Sequence, residues 1–273
     1  MTAHASRRII LGATLALAIA ASLAPLLLGA TVALTSPQQF ARTGVGVPAP
    51  WTLSNFAALF ADPTTFVRPV LVTLGAGVIV AAAQTTSSVM AAYALTRFPF
   101  AGRRMFVVVL AAAYAVPPVT TVIPLYSWFV GIGLAGTFWA LVVPFVLASP
   151  YAIFLLAQWM RSVPSEVVDA ARVDGGSHAT VLLRVVAPMV RPAIATVALV
   201  TFVSTWNSYL WPRLIAGVKL PQVQVAVASL QTQFDSNWTL VMAAATVSVV
   251  PPIIAALVLH RSLSSAIGTG VSP

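Results

Sequence analysis

The chain has 273 residues, of which 59% are hydrophobic and only 7% are charged, whereas roughly a quarter of a soluble domain is charged. This composition excludes an ordinary soluble enzyme, and the absence of cysteine excludes disulfides and thiolate metal sites. A net charge of +9 would favour nucleic acid in a soluble chain, but in a membrane protein it reflects arginines gathered on cytoplasmic loops. The three histidines are too scattered for a cluster, so we predict no metal site.

Six apolar runs without charge are long enough to cross a bilayer, since a spanning helix needs about 20 apolar residues. They extend from Ile9 to about Leu34, from about Val70 to Leu95, from Met105 to about Pro124, from about Phe138 to Met160, from about Ala193 to Leu210, and from about Leu240 to Leu259. The first run is longer than the 7–15 residues typical of a signal-peptide core, which favours a retained anchor helix. We therefore predict an all-α integral membrane protein with six transmembrane helices.

Basic residues are distributed unevenly between alternate loops. Ten of the fourteen fall in one set, namely Arg7, Arg8, Arg97, Arg103, Arg104, Arg161, Arg172, Arg184, Arg191 and Arg261. By the positive-inside rule this set is cytoplasmic. We thus expect a multi-pass protein of the cytoplasmic membrane, with a cytoplasmic N-terminus (1–8), a membrane domain (9–260) and a cytoplasmic tail (261–273).

Two proline pairs fall inside predicted spans, at Pro117-Pro118 and Pro251-Pro252. Discontinuous helices, as in ion-coupled carriers, are one interpretation. Kinks in otherwise continuous helices are the one we favour, because proline removes one helical hydrogen bond without ending a membrane span.

The cytoplasmic loop 161–192 predicts two short helices joined by glycine. Ser165 is a suitable N-cap for the first helix, and Gly175 with Gly176 should end it, because glycine adopts the left-handed conformation that a helix end requires. The second helix should start at Ser177 and end before Pro188.

One face of the first loop helix is suited to docking another protein. Val167, Ala170, Ala171 and Asp174 recur at helical spacing. An amphipathic helix lying on the lipid surface is the alternative. Residues 165–178 contain three acids against one arginine, a net charge of −2, whereas a surface-seeking helix is normally basic.

The run Pro164–Gly175, followed by Val185–Pro188, resembles the EAA loop of binding-protein-dependent ABC importer permeases. Asp169 stands where that family usually has glutamate, and Ala187 where it usually has leucine. Three further stretches resemble its sugar-importing branch, in particular the second permease of maltose-type systems: Tyr93–Arg103, Pro117-Pro118 with Ile123–Tyr126, and Thr205–Asn207 with Leu210–Pro212.

The resemblance implies the architecture of a type I ABC importer permease, with loop 161–192 carrying a coupling helix for a cytoplasmic ATPase subunit. It implies four partners besides membrane lipid: a second permease, two ATPase subunits and an external solute-binding protein. The solute would be a sugar or sugar-like compound, such as a disaccharide, trehalose or an amino sugar. The implied docking residues, with Asp174 added because it shares their face, are Glu166, Asp169, Ala170, Ala171, Asp174 and Gly175.

No cofactor is expected on this chain, and ATP with Mg²⁺ would bind the ATPase subunits. A phosphate-binding loop needs a lysine after its last glycine, and the only lysine, Lys219, follows Val218.

Two other functions remain open on the residues alone. An ion-coupled secondary carrier usually has ionisable groups at mid-membrane, but all five acids lie outside the predicted spans. A membrane-embedded enzyme would need more than the adjacent Ser177 and His178, which no nucleophile elbow surrounds. We therefore predict no catalytic residue.

Polar residues within two spans are candidates for a solute pathway. We single out Trp206, Asn207 and Tyr209 in the fifth span and Gln84 in the second. Hydrogen bonding and packing between helices is the alternative for all four, because small polar residues commonly serve that purpose in membranes.

Overall fold

Helices make up almost all of the regular structure. The computed structural model describes residues 2–217, 219–231 and 237–268, and the side chains of 11–217, 219–231 and 237–259. The long helices are α1 (Thr2–Ala33), α4 (Val67–Arg97) and α15 (Trp238–Gly268). The others are α2 (Pro37–Thr43), α3 (Ser54–Ala61), α5 (Arg103–Ala115), α6 (Pro118–Gly131), α7 (Phe138–Val142), α8 (Pro150–Arg161), α9 (Ser165–Val173), α10 (His178–Val181), α11 (Ala187–Met189), α12 (Arg191–Trp206), α13 (Leu210–Ile215) and α14 (Val223–Ser229).

By length and composition, the described residues contain up to six candidate membrane spans. Three are unbroken: Leu11–Ala33, Val67–Arg97 and Trp238–Leu259. Three further candidates are bent pairs: α5 with α6 (94°), α7 and its 3₁₀ extension to Phe145 with α8 (44°), and the segment His178–Met189 with α12 (83°). In the last pair only α12 corresponds to a predicted span, because His178–Met189 lies in the loop 161–192. The all-α membrane fold predicted from hydropathy is confirmed, but half of the spans are not simple rods.

The two proline pairs behave differently. At Pro117-Pro118 the expectation of a kink is wrong, because α5 ends at Ala115 and α6 starts at Pro118 at 94° to it. Val116 and Pro117 are extended, with ψ of 123° and 127°, the conformation that a residue preceding proline favours. At Pro251-Pro252, by contrast, α15 continues through both prolines.

The chain forms two compact units. One comprises Met1–Pro69 and Ala226–Val250, and the other Val70–Val225 and Pro251–Pro273. In the first unit α1 exposes most of its leucines. This suits contact with lipid, because these side chains have no polar group that would be left without a hydrogen-bond partner there.

A buried asparagine holds the first unit together. Asn55 in α3 is 3% exposed, and its Nδ2 donates to the carbonyl oxygens of Ala33 (2.7 Å) and Thr35 (2.8 Å) at the end of α1. Its Oδ1 accepts from Thr239 Oγ1 in α15 at 2.9 Å. One side chain therefore joins three helices and pairs two carbonyls that the end of α1 leaves free.

The second unit contains two hydrophobic clusters. The first packs the C-terminal half of α4 and α8 against α9, α10, the turn Leu182–Val186 and α12. The second packs the N-terminal half of α4 against α6, α7 and α13. Gly77 allows α4 to approach α12 closely, because a Cβ there would lie 3.0 Å from the Phe202 ring.

Replacing Asn55 by alanine should lower the free energy of unfolding by about 1–3 kcal/mol, since it leaves buried polar groups unpaired. Asn207→Ala is the control, because that exposed side chain accepts one bond from Gln224 Nε2 at 3.3 Å. Denaturation of both variants in mild detergent measures the difference. Equal stability of the two would contradict the role given to Asn55.

Candidate functional sites: a capped loop helix and a polar cavity

The first candidate site is α9, which begins differently from the prediction. The N-cap is Pro164, with extended backbone, and Ser165 is the first helical residue and makes no cap hydrogen bond. The predicted N-cap role of Ser165 is therefore wrong by one position. Proline fits there because its fixed φ suits the entry to a helix and the missing N–H would find no helical partner.

The end of α9 is a Schellman motif that needs both predicted glycines. Gly176 N–H donates to Ala171 O, and Gly175 N–H donates to Arg172 O, each at 3.0 Å, which is the paired bonding of that cap. Gly175 has φ +85°, and a Cβ on Gly176 would lie 2.5 Å from Ala171 O. The prediction that the glycine pair ends α9 is thus confirmed. Gly175 is needed for its positive φ, and Gly176 is needed because a side chain would collide with Ala171 O.

The predicted docking residues do not all face outward. Glu166, Asp169, Ala170, Asp174 and Gly175 are exposed. Ala171 is only partly exposed and packs against the first hydrophobic cluster, in which Val168 is buried. The surface that α9 offers therefore carries the three acids with Ala170, while Ala171 anchors the helix from beneath. Docking on this surface stays a prediction.

Arg97 fixes the segment that enters α9. It is the last residue of α4, and its Nη2 donates to the carbonyl oxygens of Met160 and Val163, both at 2.9 Å. Met160 lies in the last turn of α8, where free carbonyls and the helix dipole favour a cation. The guanidinium thus ties α4 to the connection between α8 and α9.

The second loop helix starts as predicted and ends later. Ser177 is its N-cap and accepts from Thr180 N–H at 3.2 Å. The expected end before Pro188 is wrong, because helical structure continues to Met189. Leu182–Val186 is a π-helical turn, with Ala187 N–H donating to Leu182 O. Because a proline ring clashes with the carbonyl four residues earlier, this wider turn accommodates Pro188.

His178 joins the loop to α4 through aromatic packing. Its ring centroid lies 4.4 Å from that of Phe98 and 6.4 Å from that of Tyr93, and its Nδ1 lies 3.5 Å from Tyr93 Oη. This packing gives His178 a structural role, in addition to the N-cap that the preceding Ser177 provides for the same helix.

The second candidate site is a polar cavity of about 230 Å³ in the second unit. Side chains of α4, α7, α12 and α13 line it, together with two places where helices break. Its aliphatic hydroxyls are those of Ser149, Thr201, Ser204, Thr205 and Ser208. Polar atoms converging on a concave surface are typical of a ligand site.

Gln84 lies on this cavity with both ends of its amide in use. Its Nε2 donates to Phe145 O at 2.9 Å, and its Oε1 accepts from Thr201 Oγ1 at 3.0 Å. Next to it, Ser87 Oγ donates to Val146 O at 3.2 Å. These bonds pair carbonyls released where α7 and its 3₁₀ extension end. Gln84 therefore serves the hydrogen bonding between helices that was the alternative to a pathway role. Its contact with solute stays a prediction.

The three solute-pathway candidates of the fifth span have different surroundings. Trp206 is 1% exposed and stacks on Phe202 with ring centroids 5.9 Å apart, so its surroundings are those of a core residue. Asn207 is exposed and accepts from Gln224. Tyr209 is 44% exposed and lines a neighbouring cavity of about 330 Å³. The polar cavity therefore gathers Gln84 but none of these three.

Sequence reasoning missed Gln222, which the structure places on the polar cavity. It is 1% exposed, and among the described residues its Oε1 has no hydrogen-bond partner. Its segment lies outside every apolar run, where no helical pattern draws attention to it.

Comparison with known proteins places this architecture in a family. Residues 84–269 match the family described as binding-protein-dependent transport system inner membrane component. The chain belongs to that family and is a permease subunit of an ABC importer, hence a transport subunit and not an enzyme. The match decides against the ion-coupled carrier and the membrane-embedded enzyme that the residues alone left open.

Relatives and solved structures agree with this assignment. The diacetylchitobiose uptake system permease protein NgcG of Streptomyces coelicolor is 31% identical over 232 residues, covering 82% of this chain and 75% of the relative. The trehalose transport system permease protein SugB of Mycobacterium tuberculosis is 27% identical over 238 residues, covering 86% of each. A bacterial ABC transporter that imports the acidic polysaccharide alginate matches with a TM-score of 0.80 at 22% identity, over 96% of this chain and 98% of that one.

Gly176→Ala should destabilise the end of α9 by about 1–3 kcal/mol, because its Cβ cannot coexist with the Ala171 carbonyl in the Schellman motif. Trypsin cleaves an α-helix after local unfolding, so cleavage after Arg172 should accelerate. Gly131→Ala is the control, since a Cβ there meets nothing within 4 Å. A cleavage rate equal to that of the control would show that Gly176 does not hold the cap.

Arg97→Gln should release the connection between α8 and α9. We expect amide hydrogen exchange over residues 162–176 to accelerate at least about tenfold, because two charge-assisted hydrogen bonds are lost. Exchange in the α1 backbone of the other unit provides an internal reference. Arg104→Gln, at an exposed position, should leave the exchange unchanged, and equal acceleration in both variants would refute the specific role of Arg97.

Proposed function

We propose that this permease carries a sugar or sugar-like solute into the cell, driven by ATP hydrolysed on separate subunits. The support for the solute class is the shared chemistry of the relatives. They are named for uptake of diacetylchitobiose, arabinooligosaccharides and trehalose, all of them neutral saccharides. Another relative is named for sn-glycerol-3-phosphate, at 29% identity over 202 residues, so the named solutes of the relatives include a charged one.

The proposed site of energy transfer is the exposed surface of α9. The observation that supports it most is that Glu166, Asp169 and Asp174 are solvent-exposed on a helix whose other side is packed into the permease through Val168. A short helix fixed at both ends moves with the body that holds it. Acidic side chains around Ala170 would fit a cleft with basic residues on an ATPase subunit.

In this proposal the two ends of α9 serve transmission. Arg97 ties its entry to α4 and α8, and the Schellman motif fixes its exit. A displacement of α9 would therefore reach α4, α8 and α12 through the first hydrophobic cluster. When the ATPase subunits close on ATP, the permease pair would rock between inward and outward openings, a rigid-body transition of a known kind.

The proposed assembly has this chain paired with a second permease, two ATPase subunits that bind ATP and Mg²⁺, and an external solute-binding protein. The family description itself includes dependence on a binding protein. We place both termini and α9 in the cytoplasm, because ten of the fourteen basic residues lie in the loops of that side.

Ala170→Trp should abolish ATP-driven uptake while the protein still inserts, because a bulky ring on the exposed surface blocks close approach of a partner helix or cleft. Ala170 is a sharper choice than Ala171, since the latter packs inward. Uptake by the reconstituted importer and co-purification of the ATPase subunit are the two measurements.

Ala101→Trp is the matched control, at an exposed alanine in the loop between α4 and α5. We expect it to retain uptake and co-purification. If Ala170→Trp does the same, α9 is not the docking surface. Solute uptake by this chain alone, without ATP, would refute the proposed function as a whole.

A further inference from the structure

We propose that a small apolar cavity between the end of α4 and the start of α5 holds one acyl chain of an anionic phospholipid, whose headgroup is bound by Arg103 and Arg104. The cavity measures about 160 Å³ and shares no lining residue with the polar cavity. The proposal concerns the lipid around this chain, so it goes beyond the transported solute and the ATPase.

Among the described residues, only apolar side chains line this cavity. They are Ala91, Ala94, Leu95, Phe100 and Phe106. None of these side chains has a hydrogen-bonding group, so a peptide segment placed there would leave its own backbone groups unpaired. A hydrocarbon chain has no such groups. The lining therefore favours a lipid chain over a protein segment as the occupant.

The cavity has a buried floor and an exposed rim. Leu95 is 1% exposed, whereas Phe100 is 43% and Phe106 is 42% exposed. The two phenylalanine rings meet edge to face, with centroids 6.5 Å apart. Gly102, in the turn between them, has open space around it, because a Cβ there would meet nothing within 4 Å. A lipid can therefore enter from outside the protein and has room for its headgroup.

Two arginines without an acidic partner lie beside this rim. Arg103 and Arg104 stand in the chain between Phe100 and Phe106, at the first two positions of α5, where the helix dipole disfavours a cation. Neither forms an ion pair in the part of the chain that the structure describes, and residues 63–165 contain no acid. The phosphate of a lipid would supply the missing anion, because guanidinium groups bind phosphate oxygens in a bidentate manner.

The depth of the cavity matches the structure of a phospholipid. Ala91 lies six residues before Arg97, the last residue of α4, which is about 9 Å along the helix axis. The cavity thus lies just beneath the level at which the chain leaves the membrane, where headgroups give way to hydrocarbon. In the orientation proposed above this is the cytoplasmic side, and basic sites between helices on that side are suited to anionic lipids.

Photo-cross-linking in nanodiscs tests the proposal. The complete importer is reconstituted in phosphatidylcholine with a trace of phosphatidylglycerol that carries a diazirine in the upper half of one acyl chain. A parallel sample contains phosphatidylcholine with the same reactive chain, and mass spectrometry locates the adducts. We expect phosphatidylglycerol to label residues 91–106 at least about tenfold more than phosphatidylcholine does, since each arginine near an anionic headgroup contributes about fivefold in affinity.

Two kinds of variant separate the headgroup from the acyl chain. Arg103→Gln with Arg104→Gln should lower labelling by phosphatidylglycerol to the level of phosphatidylcholine. Arg161→Gln with Arg184→Gln is the control, because it removes two exposed arginines at other places on the same side and should leave labelling unchanged. Ala94→Leu should lower labelling while both headgroup arginines remain, because the larger side chain occupies the cavity.

Four results would overturn the lipid site. They are equal labelling of residues 91–106 by the two lipids, no labelling of that segment by either lipid, which would mean that protein covers the cavity, unchanged labelling in the variant without both headgroup arginines, and displacement of the lipid by inorganic phosphate at constant ionic strength, which would mean a site for a free anion. If Ala94→Leu prevents folding, the arginine variants still decide. The labelling needs neither ATP nor solute, so its outcome is independent of the proposed function.

Discussion

A backbone carbonyl or amide that leaves a helix in apolar surroundings must find another partner, and this constraint governs the whole chain. Among the described residues, three of up to six candidate spans are bent pairs, and side chains from elsewhere pair the backbone where helices end. Gln84 and Ser87 bind the carbonyls after α7. Arg97 binds those of Met160 in the last turn of α8 and of Val163 after it, and Trp211 Nε1 donates to Ala140 O at 3.0 Å. Without these donors, unpaired backbone carbonyls would make the helix breaks unfavourable.

The same breaks create the two candidate functional sites. The interruption after α8 leads into α9, whose acids are exposed while Val168 is buried in the first hydrophobic cluster. The interruptions before α8 and after α12 open the polar cavity. Because Gln84 and Arg97 both belong to α4, a single long helix connects the polar cavity to the segment that enters α9.

Much of this organisation is predictable from sequence, because the signals are local. Hydropathy indicates six spans, the glycine pair marks the end of α9, and Ser177 is recognisable as an N-cap. The likeness of residues 164–188 to the EAA loop indicates the family. These features depend on residues within a few positions of one another, whose effect on backbone conformation does not require knowledge of the fold.

Other features depend on residues far apart in the chain. Gln84 meets Phe145 and Thr201 across 61 and 117 positions, and no spacing rule predicts such pairs. Helical periodicity puts Ala170 and Ala171 on one face, but only the cluster beneath α9 shows that Ala171 turns inward. Likewise the sequence suggests a pathway role for Trp206, whereas its stacking on Phe202 gives it the surroundings of a core residue.

The proposed function depends most on α9, fixed at one end by Arg97 and at the other by the Schellman motif, as the point of contact with the ATPase. A photoactivatable amino acid placed at position 170, in membranes that contain the complete importer, tests it most directly. Mass spectrometry should identify an ATPase subunit as the main cross-linked partner. Cross-links to lipid or to an external protein instead would contradict the account.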